Sequence, residues 1–435
     1  MGLPIRIIAA WWAICFVFYV TGWPIAYRRE NVVQVSSFFL SSAILIVIAY
    51  ILVARRAPVA PQVVSAQRMP KPMLIGFVAT VVLYVPLVET YSGFHFWEIL
   101  SALTDQNEAY YRATAIMANG LGSRLLIVGA QTVVAPLTMA VLPFLALGWF
   151  ERRKHGRRFI LVFVISISMS ILVGRDFQLF LAGLMVACAW TISRIRRRIG
   201  FSVVHPAVIA GLGALFLILS GLRKYERMTG SAFCPPGADA CATSGPPTLW
   251  DSIIITFASY ASQGFEGLGR ALNATWTFGG GYSHSPAVAE IFKKVFDTGS
   301  SNVITAQLGD LGWSATGLWS TGFTMLANDV PWVLIPFVVA LQSALMAASW
   351  KRALRTGDWL ATAVFSYTFV ILVFMPMTLQ LATSGPLYLG YVGLTVAFVM
   401  RAVGEKYGRS RSISPLHDQL ETDKRGCRDE RTTVG

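Results

Sequence analysis

The sequence has no nucleotide-binding loop of the form G-x-x-x-x-G-K-[ST], no H-E-x-x-H helix and no Cys/His cluster, so it lacks the usual frameworks for ATP hydrolysis and zinc chemistry. It also lacks a pair of aspartates one residue apart, the device that holds a divalent metal against a nucleotide-sugar diphosphate. Charge is scarce, at 13% of residues, and acids are scarcer still, 22 against 36 Lys and Arg. The resulting +14 would point to nucleic acid in a soluble protein, but here the basic residues sit in short loops between apolar runs. No nucleic-acid partner is expected. The five cysteines are too scattered for a metal cluster. The first apolar run, Ile7 to Tyr27, has no small-residue cleavage site and reads as a span rather than a signal peptide. Neither a metal nor any other cofactor is expected.

What fills the chain instead is apolar: 55% of residues are hydrophobic and the mean hydropathy is +0.58. That composition predicts an all-α polytopic membrane protein. A spanning helix needs about 20 largely apolar residues, and ten runs qualify: 7–27, 35–54, 73–88, 125–149, 159–173, 177–192, 202–221, 331–350, 359–379 and 384–403. The loops 55–72, 151–158, 193–200 and 351–358 together hold 16 Lys and Arg against only Glu151 and Asp358. The positive-inside rule assigns these loops, and with them both termini, to the cytoplasm. Arg28 and Arg29 then fall outside, against the trend. Residues 1–403 read as one membrane domain, and the polar tail 404–435 is expected to be disordered.

This topology leaves two long outer segments, 89–124 and 222–330. The first, aromatic and acidic through Asn107-Glu108-Ala109-Tyr110-Tyr111-Arg112, predicts one or two short interfacial helices. Its rings serve either as an ordinary interfacial belt or as platforms for sugar faces. The second opens with Arg223-Lys224-Tyr225-Glu226-Arg227 and continues into half-apolar pieces, Ser252 to Leu272 and Val303 to Leu326, that read as amphipathic or re-entrant. Cys234 and Cys241 flank a turn-rich hexapeptide on the side where an oxidising compartment lets a disulfide close. Cys15, Cys188 and Cys427 read as ordinary thiols.

The segment Phe159 to Ile192 reads as a hairpin with arms 159–173 and 177–192. About 15 residues span only about 22 Å, against a hydrocarbon core of roughly 30 Å. The tip Gly174-Arg175-Asp176 is therefore expected near the hydrocarbon boundary, where an ionisable residue is a functional candidate. Snorkelling of Arg175, or its pairing with Asp176, is the alternative. Arg223 and Arg227, four apart, share a face if the preceding span continues as a helix, and Arg270 ends an amphipathic piece. With Arg175, these guanidiniums form a set able to grip a diphosphate bidentately and stabilise the charge as it leaves. For Arg223 and Lys224 a solvated helix flank is the competing account. A glycosyl transfer that displaces a diphosphate also needs a base. Asp176, Glu226, Glu266, Asp310, His95 and His284 are the candidates; Glu266 is favoured, and Asp176 is carried with it.

Several stretches together resemble the O-antigen polymerase, or Wzy-type repeat-unit polymerase, family over roughly residues 75–400. They are Tyr110-Tyr111-Arg112, the Gly174-Arg175 turn, Tyr260-Ala261-Ser262-Gln263-Gly264-Phe265, Asn302-Val303-Ile304-Thr305, and Thr321 to Val330 running into a span. The family commonly has Asp-Phe-Gly before that span, where this chain has Asp329-Val330-Pro331. The resemblance implies a multi-pass enzyme of the bacterial inner membrane that polymerises polyprenyl-diphosphate-linked oligosaccharide repeat units on the outer face. It implies no metal or nucleotide, and a chain-length regulator and a flippase as possible partners. It also implies Arg175, Arg223, Arg227 and Arg270 as diphosphate contacts. Two rivals stand beside it: a ligase-like glycan transferase of similar architecture, and a lipid-linked oligosaccharide flippase, which would show internal repeats that this chain lacks.

Overall fold

The computed structural model describes residues 2–55, 69–118, 125–174, 176–199, 218, 234, 238–241, 248–296, 302–314 and 318–405. The protein is an all-α polytopic membrane protein: among the described residues eight helices are long and apolar enough to cross a bilayer. They are α1 (Leu3–Thr21), α2 (Val32–Ala54), α3 (Lys71–Ser92), then α6 (Leu125–Arg152), α7 (Gly156–Val173), α8 (Asp176–Arg196), α13 (Ile335–Thr356, entered through a short turn from Trp332) and α15 (Gly385–Glu405). The apolar helix α14 (Trp359–Phe374) is shorter. Between α3 and α6 lie two short helices, α4 (Ile99–Thr104) and α5 (Gln106–Ala118). Between α8 and α13 lie α9 (Leu249–Ala271), α10 (Pro286–Phe296), α11 (Ile304–Gln307) and α12 (Gly322–Leu326). The expected span 202–221 and the tail from 406 lie outside the described residues.

Three differences from the sequence reading bear on the fold, each for a local reason. The first span ends at Thr21, not Tyr27, because Gly22 takes a left-handed conformation and Pro24 follows. Ile25 and Ala26 (strand β1) instead pair antiparallel with Cys241 and Ala240 (strand β2). The arms of the 159–192 hairpin are longer than their apolar cores, at 18 and 21 residues. That gives about 27 and 32 Å of helix, enough to match the hydrocarbon thickness, so the inference of a tip held low falls away. The turn is instead packed under α5: a Cβ on Gly174 would stand 2.6 Å from the Tyr110 backbone nitrogen.

The third difference shapes the whole bundle. The apolar run 359–379 gives only 16 helical residues, because Pro376 has no N–H to offer the Leu372 carbonyl. The Trp12 indole N–H takes that place at 2.7 Å, and Trp11 donates to the Val373 carbonyl at 2.9 Å. α14 is thus about 24 Å long, and the chain from Met375 to Leu379 runs on non-helically and buried before a short 3-10 turn at Gln380–Thr383. Irregular backbone at membrane depth is tolerated only inside protein. Here α12 covers it, with Gly322 N donating to Met375 O at 2.8 Å.

Two ends of the bundle are distinct. At one, Arg196 pairs with Glu151 and donates to the Leu354 carbonyl, while Arg352 and Arg401 both pair with Asp358. This is the basic end. At the other, a disulfide joins Cys234 to Cys241, with Cα atoms 5.7 Å apart, and the β1–β2 pairing anchors Ala240 and Cys241 to the α1–α2 turn. There Arg28 faces Asp239 at 3.6 Å, and Arg29 donates to the Val20 carbonyl at the C-terminus of α1. The two arginines that break the loop-charge trend each have a local partner, one an acid and one a helix end. Between the ends, the rings of Trp12, Phe16, Tyr19, Phe39, Phe265 and Phe323 interlock α1, α2, α9 and α12.

Candidate functional site

Helix α9 starts sharply because Thr248 and Asp251 form a reciprocal capping box. Along it, Ser252, Thr256, Ser259, Gln263, Glu266 and Arg270 recur at three- and four-residue spacing, and all are buried. Its polar face therefore looks into protein. Arg270 Nε donates to Glu266 Oε1 at 3.0 Å, and Arg270 Nη1 donates to the Leu311 and Gly312 carbonyls at 3.2 and 3.1 Å. Glu266 Oε2 accepts the Arg29 backbone N–H at 3.1 Å, and the Arg270 guanidinium lies 5.1 Å from the Trp313 ring centre. The pair ties α9 to two loops.

This placement bears on two of the expected site residues. Glu266 is fully buried with both oxygens engaged, so it has no face open to an acceptor hydroxyl. Arg270 aims its donors at an internal acid and at carbonyls rather than at an open groove. Of the other expected site residues, Arg175, Arg223 and Arg227 lie outside the described residues, as does the Asp176 side chain at the start of α8. Of the remaining base candidates, Glu226 lies outside the described residues, His95 is paired with Glu89 at 2.9 Å within the 89–124 segment, and Asp310 sits on an exposed turn.

A different constellation assembles where the 279–284 loop, the start of α11 and the turn after α12 meet. Short helix α12 is capped by the Thr321 hydroxyl and ends ahead of Pro331, leaving Asn328 and Asp329 in a turn. Asn328 staples this turn to its neighbours: its Nδ2 donates to Ser283 O and Thr305 Oγ1, its Oδ1 accepts from Thr305 N, and its carbonyl accepts from Gly279 N. The loop 279–284 then wraps Asp329. Gly280 and Gly281 both hold positive φ, which aims the Gly281 N–H at Asp329 Oδ1, 2.9 Å away. His284 donates its backbone N–H to Asp329 Oδ2 at 2.7 Å, and its Nδ1 lies 2.6 Å from the same oxygen. On the far side of the ring, Nε2 meets the hydroxyl of Tyr388, one turn into α15.

The electrostatics follow from this geometry. Burial alone would raise the Asp329 carboxyl, but hydrogen bonds from the His284 ring and N–H, the imidazole charge, and the Gly281 N–H outweigh it and hold the group below the ordinary carboxylate value. A neutral ring that donates its Nδ1 N–H to the ionised Asp329 would turn the Nε2 lone pair toward the Tyr388 hydroxyl. His284 keeps 16% of its side chain exposed while Asp329 keeps 4%, so the acid is sealed and the ring is reachable. A carboxylate behind an imidazole is the arrangement of a general base. Among the described residues no three His, Cys, Asp or Glu side chains gather as metal ligands.

The site draws together parts far apart in sequence. Thr321 N donates to Gly264 O at 3.3 Å, and Thr305 bonds Asn328, so the 260–265, 302–305 and 321–330 stretches are neighbours. Tyr260 stacks on Trp319 at 4.5 Å beside them, and Tyr282 stacks on Phe292 at 4.6 Å. In the sequence His284 stands out only as one of several base candidates on the outer segments, and Asp329 only at the position where the resembled family has Asp-Phe-Gly. Comparison with protein-family models, with curated proteins and with solved structures finds no match to this chain.

Proposed function

We propose that this chain is a membrane glycosyltransferase that extends a glycan carried on a polyprenyl diphosphate, with His284 as the base that deprotonates the acceptor sugar. The observation that carries the reading is the His284–Asp329 pair, placed at the end of the bundle where α13 and α15 begin. A lipid-linked diphosphate would present its sugar at that depth. The loop charge supports an outer placement of this end and a cytoplasmic placement of the basic end and both termini, and the resemblance supports a bacterial inner membrane.

In this reading the acceptor hydroxyl displaces the Tyr388 hydroxyl at His284 Nε2 and gives up its proton there. Its oxygen forms the new bond to the donor's anomeric carbon, and the bond from that carbon to the diphosphate oxygen breaks with its electron pair. Asp329 stabilises the imidazolium and fixes the ring, as a positioning residue. The leaving diphosphate is assigned to Arg175, Arg223 and Arg227, since Arg270 is spent on Glu266. The family resemblance supports the substrate class, and a polymerase of repeat units is preferred to a ligase or a flippase on that basis.

The test is complementation of a deletion strain with His284→Ala and with the wild type at matched membrane levels, read as a surface-polysaccharide ladder. His284→Ala is expected to lose at least about 100-fold in polymerised chains while single repeat units are still displayed. A normal ladder would remove His284 from the reaction. Loss of all capped lipid in the deletion strain would favour the ligase or flippase instead.

A further inference from the structure

Far from His284, the basic end carries a second feature. α1 and α2 are clamped at the disulfide end by the β1 turn and by the stacked rings of Trp12, Phe16 and Phe39. Toward the basic end they part around a cleft of about 350 Å³. Its walls are apolar, Ile5 and Ala9 from α1 and Val47, Ile51 and Ala54 from α2, and the buried ring of Tyr50 also lines it. Arg6 and Arg55 also line it, and both are exposed. Among the described residues no acid lines it, and neither guanidinium has a hydrogen-bond or ion-pair partner. Elsewhere at this end Arg196, Arg352 and Arg401 are all matched to carboxylates.

We infer that this cleft binds an anionic phospholipid, its acyl chain against the apolar walls and its phosphate between Arg6 and Arg55. Two guanidiniums lining one greasy slot match an amphiphile with a phosphodiester head, and among the described residues no acid lines the slot to compete. The volume is at the small end of ligand pockets, which suits part of one chain rather than a whole soluble ligand. A lone arginine at a helix end merely snorkels to the headgroups. Here a shaped apolar space joins two of them, and that space is what makes the site selective. The site does not depend on the reaction proposed at the opposite end.

The experiment is native mass spectrometry of the full chain in detergent, titrated with phosphatidylglycerol or phosphatidylcholine. The wild type is expected to retain phosphatidylglycerol in preference. The double variant Arg6→Gln, Arg55→Gln, which changes only exposed side chains, is expected to lose about tenfold or more of that binding. Ala9→Phe keeps both arginines and fills the cleft, and is expected to lose it too. Unchanged phosphatidylglycerol binding in either variant, or equal retention of both lipids by the wild type, overturns the proposal. Displacement of bound lipid by inorganic phosphate also overturns it, since the ligand would then be a small anion.

Discussion

Removing either member of the Glu266–Arg270 pair strands the other as an uncompensated charge sealed inside protein. Arg270→Met is therefore expected to destabilise the protein by about 3–5 kcal/mol, whereas Glu266→Leu combined with Arg270→Met recovers most of that loss. Thermal unfolding in detergent, followed by tryptophan fluorescence, makes the comparison. If Arg270→Met abolished polymerisation with an unchanged unfolding temperature, Arg270 would return to the substrate. Asp329 gives a pH-dependent counterpart. Its carboxyl is held below the ordinary value near 3.9, so its stabilising contribution is complete above about pH 4 and is lost as pH falls through the depressed folded-state value. The gap in unfolding temperature between wild type and Asp329→Asn should be widest above about pH 4 and narrow below it. A gap that stayed constant into strong acid would mean that the carboxylate's charge contributes nothing to the fold.

At the scale of elements, what could be read from the sequence depended on how local the signal was. Each long apolar run in the described part became a helix, because burying side chains in hydrocarbon asks only for length and composition. The early stop of α14 was hidden inside the apolar run 359–379, although Pro376 marks it in retrospect. The stripe on α9 was visible as amphipathic, but hydropathy says which residues are polar and not what they face. That is how Glu266 came to be favoured as a base while serving as a buried staple. The His284–Asp329 pair joins residues 45 apart, and Tyr388 lies a further 104 from His284, beyond the reach of any periodicity. The most element-specific test is Trp12→Phe, which keeps an aromatic ring against Phe39 but removes the donor to Leu372 O. It is expected to cost about 1–3 kcal/mol, the penalty of an unsatisfied buried carbonyl. An unfolding temperature equal to wild type would mean that another donor reaches that carbonyl.

For the whole molecule, the two ends make opposite demands on a labelling reagent. His155→Cys, in the basic loop between α6 and α7, should react with a membrane-impermeant thiol reagent only in inverted vesicles or after permeabilisation. Labelling from outside intact cells would reverse the orientation and put the His284 site in the cytoplasm. The tryptophan caps on α14 carry a last consequence, in the order of biosynthesis. The donors at Trp11 and Trp12 leave the ribosome some 360 residues before the carbonyls they serve. α1 meets these partners only once α14 has been made. A nascent chain released before Phe374 would leave both indole donors without the carbonyls they serve, so α1 and α14 complete one another only after the chain between them has been made.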